Sequence, residues 1–170
     1  MSKNLLLLFI VIIISIYIAN SWDSLPLIKN SVNSVLNPTL GYILNWNVYI
    51  GFLLIVALTS FILTLTQKYL SDQDKLREIR KEQKLLQEEM KKYRDNPEKL
   101  MEFQKKQLEI LPKTMELTMK PLLYTSIPII LFFRWFGDYL TPIFGLWWIL
   151  YYLIGAMIFS YFFRKVLNVV

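Results

Sequence analysis

Ser60, Thr64 and Gln67 step by four and three residues through an otherwise apolar run, so one helix face would carry all three. Thr125 and Ser126 stand in a second apolar run, and Ser160 in a third. None of these side chains has a base beside it, so none reads as a nucleophile. Surrounded by hydrocarbon, hydroxyls and amides can hold water and hydrogen-bond a passing polar group. They can equally bond between or within packed helices for a modest gain. Other chemistry is excluded by composition. The chain has no His and no Cys, which removes imidazole acid–base catalysis, thiol chemistry and Cys/His metal sites. Five glycines without a Gly-rich run leave no phosphate-cradling loop. No catalytic residue, no metal site and no cofactor are expected, and the chain is not expected to be an enzyme.

Bringing those hydroxyls together requires membrane helices. The 170 residues are 55% hydrophobic and 19% charged, but the charge is concentrated. Residues 67–120 hold 14 of the 19 Lys/Arg and 11 of the 13 Asp/Glu. What remains is apolar enough to cross a bilayer. Residues 48–66 give about 28 Å of helix, enough for one span. Residues 121–136 and 146–163 give two more, with Pro128 predicting a kink in the middle one. Between them, 137–145 (GDYLTPIFG) reads as a short turn. The fold class is thus an all-α integral membrane protein with three core spans.

The charged segment 68–120 reads as an antiparallel helical hairpin. Leu76, Ile79, Gln83, Leu86, Met90 and Tyr93 repeat at steps of three and four, a coiled-coil seam with one polar position. Asp95-Asn96-Pro97 breaks the helix and starts the next. Pro112 should kink the return arm. Met115 and Met119 on that arm are flexible and polarisable, suited to a client-contact surface or to filling a helix interface.

The ends of the chain complete the topology. Residues 1–21 hold a fifteen-residue apolar run after Lys3 and end in Ala19-Asn20-Ser21, either a cleaved signal peptide or a retained signal anchor. Residues 22–46 have helical periodicity at Leu25, Ile28, Val32, Val35 and Leu36, bracketed by Trp22 and Trp46, which reads as an outer interfacial helix. Lys and Arg favour the cytoplasmic side, so the hairpin and the Arg164-Lys165 end are expected there, with 137–145 outside. The only charge within a span is Arg134. It is expected either to reach the outer interface, with Asp138 one turn on as its ion partner, or to serve as a groove charge that attracts acidic parts of a client. The remaining 22–170 would form a single membrane domain.

The order of parts then becomes specific: interfacial helix, span, hairpin, a Met- and Pro-bearing re-entry, span, short turn, span. With the re-entry stretch MELTMKPLLYTSIPIILFFRWF at 115–136 and the hairpin at 68–111, the chain resembles the YidC/Oxa/Alb insertase superfamily, most closely its compact archaeal YidC-like branch. The resemblance extends over about residues 22–165. It implies a membrane protein insertase or chaperone, working through a hydrophilic groove open to the cytoplasm, in a prokaryotic plasma membrane. Groove residues would be Ser60, Thr64, Gln67, Thr125, Ser126 and Ser160. Partners would be nascent membrane proteins and the lipid bilayer, and the ribosome through the hairpin, with no DNA. The chain departs from many bacterial members in having no arginine within its first core span, 48–66, and only three core spans. Two readings from other classes compete: a membrane-anchored coiled-coil scaffold for a partner protein, and an oligomeric ion channel.

Overall fold

A computed structural model describes residues 3–170, with side chains from Leu6 onward apart from Leu8. The start of the expected signal segment, residues 1–2, and the side chain of Lys3 lie outside the described residues. Every described element is helical: α1 (Lys3–Asn20), α2 (Pro26–Leu36), α3 (Tyr42–Trp46), α4 (Val48–Leu70), α5 (Gln73–Lys92), α6 (Pro97–Phe144) and α7 (Trp147–Leu167). α4, α6 and α7 are long and apolar enough to cross a membrane.

Local chemistry sets where these helices start. Asn47 caps α4 by accepting from the backbone N–H groups of Tyr49 and Ile50, each at 3.0 Å. Asp72 caps α5 through Lys75 N–H, and Asn96 caps α6 through Lys99 N–H, just ahead of Pro97. The hairpin break therefore falls where Asp95-Asn96-Pro97 places it. α5 then packs antiparallel along the first part of α6, burying Leu76, Ile79, Phe103 and Ile110.

Two expected boundaries move. The return arm and the middle span are one unbroken helix of 48 residues, which runs through Pro112, Pro121, Pro128 and Pro142. The expected turn 137–145 is helical as far as Phe144. Gly137 is there for packing: a Cβ on it would lie 3.3 Å from the Trp148 ring. The turn is Gly145-Leu146 alone, and Gly145 adopts φ 59°, a conformation that favours glycine.

The body forms around α6. α1 lies along it, with Ser15 buried. α4 and α7 run side by side in the same direction, with Gly155 so close to Val56 that a Cβ would lie 3.1 Å from Cγ1. The expected interfacial helix 22–46 is a short 3₁₀ turn at Trp22–Ser24, then α2, a π-helical turn at Asn37–Gly41, and α3. This segment is tied to α6 at the end opposite the hairpin. Trp22 is fully buried, and its Nε1 donates to Asp138 at 3.0 Å. Asn37 Oδ1 accepts from Trp135 Nε1 at 2.8 Å. Trp22, Leu44, Phe52, Ile55, Val56, Trp135, Phe136, Leu140, Trp148 and Tyr152 make one buried cluster there. Phe52 stacks on Phe136 with ring centroids 5.8 Å apart. Lipid is as apolar as these side chains, so contact between them, and not water exclusion, holds this cluster together.

Candidate functional site

Between α4 and α6 the bundle is open at the hairpin end, whereas at the other end the same two helices are packed through Phe52 and Phe136. A cavity of about 310 Å³ lies between the lower parts of α4 and α6, with the start of α5 and the end of α7 as its floor. Thr66, Gln67 and Ser71 border it from the α4 side, and Thr114, Thr118 and Thr125 from α6. Arg80 and Gln83 of α5 and Arg164 of α7 face it too, and no Asp or Glu is among its lining residues.

Helix geometry accounts for this gathering. On α6, Thr114, Thr118 and Thr125 are spaced by four and seven residues, so the unbroken helix presents them on one face. Each hydroxyl donates to its own helix: Thr114 to Ile110 O at 3.1 Å, Thr118 to Thr114 O at 2.9 Å, Thr125 to Pro121 O at 2.8 Å. The donor is thereby used, and the oxygen keeps accepting capacity toward the cavity. Prolines 121 and 128 have no N–H, which leaves the carbonyls of Leu117 and Tyr124 without their usual intrahelical donors. The floor is a polar knot. Arg164 Nη2 donates to Gln67 Oε1 at 2.8 Å, Gln73 Nε2 to Gln67 O at 2.9 Å, and Val170 N–H to Gln73 Oε1 at 2.9 Å. This knot joins the ends of α4 and α7 to the start of α5.

The expected groove residues divide. Gln67 and Thr125 border the cavity. Ser60 and Thr64 do not: they are 1% and 2% exposed, continuing the buried stripe of α4 that begins at Phe52 and Val56. Thr64 donates to Ser60 O at 2.7 Å, while Ser60 Oγ has no partner. Their shared face was legible, but it serves packing. Ser126 bonds to Leu122 O on α6, and Ser160 is half-buried on α7; neither borders the cavity. Met119 is buried and Met115 exposed, both away from the cavity lining.

Arg134 and Asp138 are not an ion pair. Asp138 accepts from Trp22 and lies 3.9 Å from Lys29, which also holds Asp23 at 2.6 Å. The Lys29 ammonium keeps the Asp23 carboxyl below the usual aspartate range. Residues that sequence reasoning missed are Arg80, Arg164, Ser71, Thr114 and Gln83. Gln83 had a signal, as the one polar position in the hairpin seam. Thr114 joins the site because the return arm and the span are one continuous helix.

These features define a class: a helical membrane protein whose α4 and α6 pack on aromatic rings at one end and part around a cavity bearing threonine, glutamine and arginine at the other, beneath a charged hairpin. Residues 33–146, well over half of the chain, match the family described as integral membrane protein EMC3/TMCO1-like. The chain belongs to that family, which lies within the insertase superfamily it resembles and is associated with membrane protein insertion. The match spans α3 to α6 and leaves out α1 and α7. No curated protein and no solved structure gives a match.

Proposed function

We propose that the chain is a membrane protein insertase that passes client segments through the cavity beneath its hairpin, which faces the cytoplasm of a prokaryotic cell. The observation that carries this is the cavity between α4 and α6, where Thr66, Gln67, Thr118, Thr125, Arg80 and Arg164 stand among apolar side chains, against the aromatic packing of the same two helices at the other end. A charged side chain at the centre of a spanning helix costs about 2.5–3.5 kcal/mol on insertion scales. A water-holding slot that reaches partway into the bilayer shortens the dry path and lowers that cost, with no bond made or broken. Basic residues support the orientation: Lys68, Lys120, Arg164 and Lys165 mark the hairpin ends of the three spans.

The test is insertion itself. Proteoliposomes with and without the protein are given a stalled nascent client with one span and a short translocated tail. A photocrosslinker at Thr125 should capture the client, and one at Leu54, exposed on α4, should not. Equal insertion with empty liposomes, or equal capture from both positions, removes the reading.

A further inference from the structure

A second cavity, of about 780 Å³, opens at the end opposite the hairpin, between the end of α1, the outer part of α6 and the start of α7. Ile130, Phe133 and Arg134 of α6 line it, with Ala19 and Ile149 on the flanking helices. Its lining is mostly apolar, and Arg134 is the one cation in it. The Arg134 Nε is buried and has no hydrogen-bond partner. Among the described residues no carboxylate forms an ion pair with Arg134, because Asp138, at the same cavity, is taken by Trp22 and Lys29.

A guanidinium in an apolar cleft at membrane depth is costly unless something neutralises it. Depth identifies the partner. Asp138 stands level with the exposed Asp23–Lys29 pair, and Arg134 lies one helical turn deeper, about 6 Å. That is just under the polar surface, where phospholipid phosphates meet the acyl chains. A guanidinium fork matches two phosphate oxygens, and the apolar remainder of the cleft matches hydrocarbon. We propose that this cleft holds a phospholipid of the leaflet opposite the hairpin, its phosphate on Arg134 and one acyl chain along Ile130 and Phe133. This site is separate from the hairpin cavity and does not depend on the insertase reading.

The test is native mass spectrometry of the full chain in neutral detergent with phosphatidylglycerol, with dioleoylglycerol as the phosphate-free lipid, and with inorganic phosphate alone. Retention of phosphatidylglycerol, and of neither other probe, is expected. Arg134→Gln should lower retention by about tenfold or more, the loss of one charge-assisted contact. Ile149→Trp fills the cleft from an exposed position and leaves the arginine in place, so it should lower retention even if the Arg134 variant does not fold. Equal retention by the wild type and both variants overturns the proposal. So does equal retention of dioleoylglycerol, or retention of inorganic phosphate alone. Crosslinking of position 134 to an acidic residue of a client, with lipid retention unchanged in Arg134→Gln, also overturns it by assigning the cleft to clients.

Discussion

Replacing Thr66, Thr118 and Thr125 together by valine keeps the shape of the cavity wall and removes its hydroxyls. Each of these hydroxyls already donates to a carbonyl of its own helix, at 2.9, 2.9 and 2.8 Å respectively. What the substitution removes is therefore accepting capacity toward cavity water. If each lost bond is worth about 0.7 kcal/mol net, the low end for a hydrogen bond, the three total about 2 kcal/mol. Expressed as a barrier, that is about a thirtyfold slower step. The loss falls on clients that need the water. Two single-span clients that differ only in one aspartate in the translocated tail, inserted into proteoliposomes and scored by protease protection, separate the cases. Insertion of the aspartate-bearing client should slow by about thirtyfold, and the uncharged one by no more than about twofold. Abundance and thermal unfolding should stay near wild type, since valine suits a membrane helix and none of the three side chains is fully buried. An equal slowing of both clients would mean that the cavity acts by shape. No slowing of either would refute the role given to its water.

Ser60 and Thr64 make the converse prediction. Ser60→Ala removes a buried hydroxyl without a partner and should leave unfolding temperature and insertion unchanged or slightly raised, whereas Ser60→Leu overpacks the α4 stripe and should cost about 1–3 kcal/mol, read as lower abundance and unfolding temperature. Gly155→Leu drives a side chain into Val56, 3.1 Å from where the Cβ would stand, and should separate α4 from α7 with a similar loss in thermal unfolding. The hairpin base should weaken in acid. The Asp72 carboxyl is held below its usual value by the Lys75 backbone N–H and ammonium, so its contribution is present above the unfolded-state value and is lost as pH falls through the lower, folded one. Hydrogen-exchange protection in the first turn of α5, taken relative to the intrinsic rate at each pH, should therefore fall below the usual aspartate range in the wild type, and Asp72→Asn, which keeps a capping oxygen, should flatten that dependence.

Local signals were readable where the answer was local. The hairpin seam from Leu76 to Tyr93 and the break before Pro97 follow from spacing and backbone chemistry alone, and α5 and α6 meet there. The signal failed wherever a residue's role is set by a distant neighbour. Gly137-Asp138 looked like a turn, yet Gly137 is held by the Trp148 ring and the helix continues past it. Asp138 sits one turn from Arg134, the right spacing for an ion pair, but Trp22 and Lys29 take its carboxylate from far along the chain. The periodicity that put Ser60 and Thr64 on one face was correct. It could not say whether that face meets a neighbouring helix or water, because a single sequence shows the faces of each helix and not which faces are opposed.

That distinction separates the two ends of the bundle. At the far end every span contributes aromatic surface: Phe52 from α4, Trp135 and Phe136 from α6, Trp148 and Tyr152 from α7. At this cluster Asn37 and Asp138 accept the Trp135 and Trp22 indole N–H groups, so both buried indoles have partners. At the hairpin end the wall between α4 and α6 mixes threonine, glutamine and proline with Leu63, Leu122 and Ile129. Pro121, on that wall, and Pro128 each leave one α6 carbonyl, of Leu117 and of Tyr124, without its intrahelical donor. In hydrocarbon such carbonyls are tolerated only beside water or another protein group. For the proposed insertase, the boundary between the wall that bears threonine and glutamine and the aromatic cluster of the far end would set how far a client's polar tail could travel before it must cross lipid unaided.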